Sequence, residues 1–292
     1  ATALLLAMTG AQAYQFEVQG QSEYTDTTVN DKDFTGGLQG TYYFKNVDAT
    51  KGPLAEAAFV NQASNVSLAY NYGEIGSHGI DIAAHNYGAK AEVYVPTKFV
   101  PAYASASYSH TTLDSKNNNA SDDQGDRYAL EIGALPTQNF LVAVGYTNVA
   151  DQAAIDAFNV MGNGVAKATA EAATIGEDQD AITARAKYVG GIDNTNMSIG
   201  FESAIIYGDA TAYQFKTDVY LNPKLSVGAS YAASSYEGTP DSAWGANVNY
   251  FITPAIAVGA SYVNANYEAA KGQTVAYAGD TQSVGVNAKF RF

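Results

Sequence analysis

Residues 281–292 read TQSVGVNAKFRF. In an extended chain, side chains alternate between two faces. Gln282, Val284, Val286, Ala288, Phe290 and Phe292 then share one face, and Ser283, Gly285, Asn287, Lys289 and Arg291 share the other. The first face is mostly apolar, the second small or polar, and the stretch closes on Phe-Arg-Phe. A strand of this kind suits the last stave of an outer-membrane barrel, where it pairs with the first strand and sets an aromatic at the membrane interface. The C-terminal edge strand of a soluble β-sandwich alternates in the same way, so the remaining sequence has to separate the two.

The same rhythm begins at Tyr14. Tyr14, Phe16, Val18, Gly20, Ser22 and Tyr24 fall on one side, and Gln15, Glu17, Gln19, Gln21 and Glu23 on the other. A polar turn over 26–32 leads to a second strand, with Phe34, Leu38, Tyr42 and Phe44 opposite Thr35, Gln39, Thr41 and Tyr43. Further alternating stretches cover 64–74, 80–96, 99–112, 126–135, 140–149, 181–188, 196–207, 211–221, 225–236, 242–252, 256–267 and 281–292. That makes about fourteen strands of roughly the length a tilted membrane strand needs. An even count returns both ends of the chain to the periplasmic side.

Connection lengths decide between barrel and sandwich. Pro96-Thr97-Lys98, residues 135–139, Asn222-Pro223-Lys224 and Thr253-Pro254-Ala255 are tight, Pro-bearing turns, whereas 113–125, 150–180 and 268–280 are longer and acidic. Short turns on one side and long loops on the other mark a transmembrane barrel. The fold class expected is therefore all-β, an antiparallel up-and-down transmembrane barrel. It occupies 14–292 as one domain. Residues 1–13, ATALLLAMTGAQA, read as the remnant of a cleaved signal peptide with its Ala11-Gln12-Ala13 site, which implies export through the periplasm.

Composition agrees. There are 22 Tyr, 27 Gly, 15% charged residues and no Cys, which excludes a disulfide framework and a thiolate metal site. Tyr suits the band where a barrel wall meets headgroups. A formal net charge of −14 argues against nucleic acid as a partner. Mean hydropathy is −0.15, and no run has the length of a membrane helix, which a barrel does not require.

Two connections break the pattern. The link 46–63, NVDATKGPLAEAAFVNQA, is too long for a turn and carries an apolar run over 54–60. It is expected either to fold into the barrel mouth and narrow it, with Lys51, Gly52, Pro53, Leu54, Glu56 and Phe59 as the constriction, or to pack as an amphipathic helix on the rim. Residues 150–180 are expected to hold a helix at 165–175 and to fold over the opposite mouth.

If the apolar set faces lipid, the other face lines the lumen. Its charged members are Glu17, Glu23, Lys90, Glu92, Arg127, Glu131, Arg185, Lys187, Glu202, Lys216, Asp218, Lys289 and Arg291, with bases gathered on the eighth, tenth and fourteenth strands. Acid and base walls facing each other would set a transverse field that orients polar solutes, as in diffusion pores. The alternative is internal pairing that fills a closed barrel. Catalysis is poorly supported. His110 with Asp114 is the one dyad that merits a test, and no Gly-x-Ser-x-Gly elbow accompanies it. His78 and His85 lack metal-ligand spacing, and residues 122–126 lack the ligand pattern of an EF-hand. No enzyme activity, cofactor or metal is expected.

Several stretches also resemble a known family: AYQFEVQGQSEY (13–24), LQGTYYFKNVDATKGPLAEAAFVNQASNVSLAYNY (38–72), VYVPTKFVPAYASASYSH (93–110), NFLVAVGYTNVADQ (139–152) and VGVNAKFRF (284–292). They are similar to the small outer-membrane porins of Acinetobacter-type bacteria. The resemblance implies a monomeric barrel of fourteen strands with a lumen narrowed by inserted loops. It also implies passage of water and small hydrophilic solutes, with a link to carbapenem susceptibility. The terminal strand, with Phe290 and Phe292, resembles the signal by which the barrel assembly machinery recognises its clients. Outer-membrane lipid and lipopolysaccharide are the expected surroundings. The rival readings are a plugged barrel acting as an adhesin or envelope organiser, a barrel hydrolase, and a soluble all-β protein.

Overall fold

The computed structural model describes residues 13–27, 30–77, 80–116, 122–151, 155–163, 179–235, 240–267 and 281–292. The strands are β1 (Ala13–Thr27), β2 (Asn30–Asp48), β3 (Asn65–Ser77), β4 (Ile80–Val95), β5 (Ala102–Ser115), β6 (Asp123–Thr137), β7 (Phe140–Asp151), β8 (Gln179–Gly191), β9 (Ser198–Tyr207), β10 (Thr211–Asn222), β11 (Leu225–Ser234), β12 (Pro240–Thr253), β13 (Ile256–Tyr267) and β14 (Thr281–Arg291). Each pairs antiparallel with its sequence neighbours, and β14 returns to β1, closing the barrel. Closure leaves no sheet edge for hydrocarbon to meet, which an open sheet could not avoid. A short 3₁₀ turn (Leu54–Glu56) runs into α1 (Ala57–Val60), and α2 is Ala157–Asn163.

Alternation sorts the two faces as expected along most of the wall. On β3, Asn65, Ser67, Ala69 and Asn71 are buried while Val66, Leu68 and Tyr70 lie outside. Leu68 and Ile132 are 68% and 67% exposed, a state that water would penalise and a bilayer accepts. Aromatic pairs lie on this outer face: Phe16 stacks on Phe292 at 5.4 Å, Tyr70 meets Tyr87 at 5.0 Å, and Trp244 meets Tyr262 at 5.3 Å.

Tyr14 departs from the expected alternation. The carbonyl of Phe292 accepts hydrogen bonds from both Gln15 N–H (3.0 Å) and Phe16 N–H (2.8 Å), so two residues of β1 oppose one of β14. The pairing with β2 shifts at the same place. One extra residue reverses the side-chain direction below it. Tyr14, assigned with Phe16 to the lipid face, therefore turns inward and is 3% exposed.

The sorting of loops by length holds with exceptions at both ends. At one end the connections 138–139, 223–224 and 254–255 are tight, with 49–64 the exception. At the other end they are mixed: only 28–29, 78–79 and 208–210 separate their strands, whereas 152–178 is long. The expected turn over 26–32 is mostly strand, because polar residues above the membrane still pair their backbones. Residues 1–12, most of the expected signal remnant, and the helix expected at 165–175 lie outside the described residues.

The two faces should respond differently to charge. Val286→Arg, on the outer face of β14, is expected to cost about 2–4 kcal/mol of stability, read from denaturant unfolding of the barrel in lipid vesicles. Ser261→Arg, which points inward, should cost much less.

Candidate pore

All thirteen charged residues expected to line the lumen lie on the inward face of their strands. They pair with strand neighbours. Glu17 on β1 receives Arg291 Nε at 2.7 Å and Lys289 Nζ at 2.9 Å, both from β14. Arg185 on β8 grips Glu131 through Nε (3.0 Å) and Nη2 (2.7 Å), and reaches Glu202 on β9 at 3.2 Å. Lys90 lies 3.3 Å from Glu92, and Lys216 lies 3.7 Å from Asp218. Arg127 lies 3.9 Å from Asp156, and Glu23, 2% exposed, is also engaged.

The expected arrangement of acid and base walls facing across an open lumen is therefore not found. Charges inside a narrow barrel gain most from a partner within hydrogen-bond reach, so bases on β8, β10 and β14 are answered by acids on the same strand, on one no more than two strands away, or on the link at Glu56. With Glu56 and Asp156 added to the thirteen, eight acids meet seven bases. The bore is close to neutral, and most of the −14 net charge belongs elsewhere in the chain.

The link between β2 and β3 enters the barrel. Asp48 caps its first turn, accepting from Thr50 N at 2.8 Å and Thr50 Oγ1 at 2.6 Å, and Gly52 takes φ +71°, which suits a residue without Cβ. Past Pro53 the chain folds into the 3₁₀ turn and α1, and Gln62 at φ 49° returns it to β3. Leu54, Ala57 and Ala63 pack with Tyr14, Tyr43, Val47, Phe251 and Ala257 on one side of the wall. Phe59 packs with Tyr103, Leu135, Leu141, Val189 and Tyr220 on the other. The segment thus bridges the bore from wall to wall.

Polar bonds fasten both ends of the bridge. Leu54 N donates to Pro223 O (2.9 Å), and Leu54 O accepts from Arg291 Nη1 (2.8 Å). Arg291, 2% exposed, lies between the Tyr14 and Phe251 rings at 4.5 and 4.6 Å from their centres. Glu56 accepts from Tyr220 OH (2.8 Å) and from Lys187 Nζ (2.9 Å), while Lys187 also sits over the Phe59 ring at 5.0 Å. Of the six residues expected to form a constriction, Pro53, Leu54, Glu56 and Phe59 stand inside the barrel. Lys51 and Gly52 are exposed at its rim, with Lys51 turned to Asp48.

The 150–180 connection, expected to fold over the opposite mouth, carries a helix earlier than 165–175, and it goes inside the barrel. Residues 155–163 lie against the inner wall of β1–β5, with Val160 and Met161 buried. Asn71 donates to Ala157 O (3.0 Å), Asn86 to Ile155 O (3.1 Å), Gln19 to Met161 O (3.0 Å) and Gln21 to Val160 O (3.0 Å). Ser109 Oγ accepts from Ala157 N at 3.1 Å. The apolar run in AFNVMGN, misplaced for a surface loop, is the signal that marks it. A comparable signal marks the seat of the bridge: Tyr43, Tyr103, Leu135, Leu141, Val189, Tyr220 and Phe251 are bulky apolar residues at inward positions near one end of their strands.

Two polar cavities flank α2. One of about 440 Å³ is lined by Gln19, Gln21, Asn247, Asn249 and Asn287, with Ala55 and Glu56 of the bridge at its edge. The other, about 300 Å³, is lined by Ser105, Arg127, Glu131, Arg185 and Gln214. Both touch Phe158 and Gly162.

With a closed, polar-lined barrel established, comparison with known proteins places it. A family model described as "putative general bacterial porin" matches residues 1–290. The chain belongs to this porin family. The crystal structure of the Acinetobacter baumannii outer membrane protein Omp33 is 49% identical, covering 97% of this chain and 100% of its own, with a TM-score of 0.70. The Pseudomonas putida toluene transporter TodX shares the fold at 10% identity, covering 94% of this chain and 89% of its own (TM-score 0.52). A search of curated proteins gave no match. The porin is thus an outer-membrane channel protein.

The dyad suggested for hydrolysis does not form in this porin. His110 Nδ1 lies 2.8 Å from Asp126 Oδ1, to which Tyr108 OH also donates, while Asp114 lies 3.7 Å from His85. Alternation puts His110 and Asp126 on the outer face, away from the lumen. Asp122 and Asp123 accept from backbone N–H of Ser115 and Gln124, and 123–126 open β6 in pairing with β5. His78 lies outside the described residues. Among the described residues, no cluster of three or more His, Cys, Asp or Glu could hold a metal.

Arg185 stands between two acids, so its loss should be severe. Arg185→Met is expected to lower the stability of the barrel by about 3–5 kcal/mol, since it strands Glu131 without a cation and leaves Glu202 only the longer contact to Lys187 at 3.8 Å. Denaturant titration followed by tyrosine and tryptophan fluorescence reads this. Lys51→Met at the rim should leave the midpoint unchanged.

Proposed function

We propose that this porin passes water and small hydrophilic solutes passively, through a lumen restricted by 49–64 from one end and by 155–163 from the other. Carbapenem-type antibiotics belong to the solute class expected. The carrying observation is the bridge of Leu54, Glu56 and Phe59, held by Arg291, Lys187 and Tyr220 on opposite parts of the wall. It rests on side-chain bonds, one backbone bond from Leu54 N to Pro223 O and small apolar clusters, which can be broken without opening the barrel. The wall itself is held by backbone ladders around its whole circumference.

The remaining expectations join this proposal. The mature chain begins near Tyr14 after export through the periplasm, and the porin works as a monomer surrounded by lipid and lipopolysaccharide. Phe290 and Phe292 serve as its signal to the barrel assembly machinery. The thirteen inward charges line the pore without giving it strong ion selectivity, because Glu23 is engaged and the others lie within ion pairs.

Single-channel recording in planar bilayers tests the reading. The intact protein should give small or flickering currents. Replacing 49–63 by a short turn, or Glu56→Gln with Lys187→Met, should give larger and steadier ones. Silence from every form would overturn the channel reading and favour a plugged barrel with a structural or adhesive role.

A further inference from the structure

We infer that the larger cavity is a binding wall for neutral, hydroxyl-rich solutes of monosaccharide size, centred on Asn249 and Asn287. The inference rests on the channel reading above and adds a substrate class to it.

The site is built by register. Asn249 on β12 pairs with Gly259 on β13, and Gly259 pairs with Asn287 on β14. Both asparagines point inward and are half-buried. Gly259 leaves the wall between them bare, and both amides lean over it. A Cβ on Gly259 would overlap Asn249 Oδ1 and come within 2.7 Å of Asn287 Nδ2. Two amides thus converge on one spot of the lumen wall.

Their hydrogen-bonding capacity is uncommitted. The other amides of the cavity have protein partners: Gln19 and Gln21 hold α2, and Asn247 donates to Asp218 at 3.3 Å. Asn249 and Asn287 make no hydrogen bond to another described residue. Each offers two N–H donors and a carbonyl acceptor. Ser226 pairs with Asn249 across the β11–β12 ladder, and Ser261 lies one row away on β13. A surface that alternates donors and acceptors matches sugar hydroxyls, each of which both donates and accepts.

The charges around this wall select against ions. Lys289 is tied to Glu17 and Lys216 to Asp218, so an ionic solute would have to break an existing pair to gain a partner. A neutral polyol breaks none. The cavity volume of about 440 Å³ falls within the range of small-molecule sites. The bridge at Ala55 and Glu56 and the helix residues Phe158 and Met161 border it.

Osmotic swelling of vesicles carrying the intact porin tests this with three solutes of similar size: glucose, the gluconate anion and the ammonium form of glucosamine. Glucose should enter fastest. The Asn249→Ala/Asn287→Ala variant should slow glucose about fivefold, the worth of one net hydrogen bond, although loss of both side chains widens the bore. Asn287→Ser, which keeps a hydroxyl, should fall between, and heat-modified migration on gels confirms that each variant is folded. Equal entry of the three solutes would overturn the inference. So would faster glucose entry in the alanine variant, the result expected if size alone controls passage. Absence of swelling together with absence of ion conductance would overturn the channel reading itself.

Discussion

Closure of the seam between β1 and β14 is the constraint on which the rest of the structure depends. In hydrocarbon, backbone N–H and C=O groups have no water to turn to, so the sheet has to meet itself. The way it does so has a local consequence. Because Phe292 O receives two N–H groups, the extra residue in β1 rotates Tyr14 into the lumen, under the Arg291 guanidinium. Arg291 then holds both Glu17, which neutralises it, and the carbonyl of Leu54, which begins the bridge. A bulge in the backbone ladder, a buried cation and the position of the inserted segment are thus one connected arrangement.

The inner face solves a second problem, how to place fifteen charges in a narrow tube. Pairing across short distances along and between strands lowers the cost of burial. It also leaves the wall divided by chemistry. From β4 to β10 it carries ion pairs, while β11 to β14 carry mainly amides, hydroxyls and glycine. Tyr103 links two of the ion pairs, since its hydroxyl donates to Glu92 at 2.7 Å and accepts from Arg185 at 3.1 Å.

Much of this was legible in the sequence, because the pleat imposes a period of two that any half-apolar strand displays. Strand positions, the inward set of charges and the entry of 46–63 into the barrel follow from that alternation and from one apolar run in a place where a turn should be. The exceptions share a physical origin. The bulge at Gln15 depends on how two distant strands meet, and no local pattern announces it. Charge pairing depends on register between neighbours, which alternation along one strand leaves open. The inward lean of 155–163 is set by Asn71, Asn86, Gln19 and Gln21 reaching for its carbonyls, and these residues lie far from it in the chain. Extension of β1 and β2 past the expected turn at 26–32 reflects backbone pairing, to which side-chain polarity is nearly indifferent.

The two insertions enter from opposite ends, the helix lying against β1–β5 and the bridge running from the β12–β14 and β1–β2 side to the β5–β10 side. Anything that crosses meets them one after the other. They therefore behave as resistors in series, and the narrower of the two dominates the total. Loosening the wider one alone changes the current little, whereas loosening both lets the barrel approach the conductance its circumference allows.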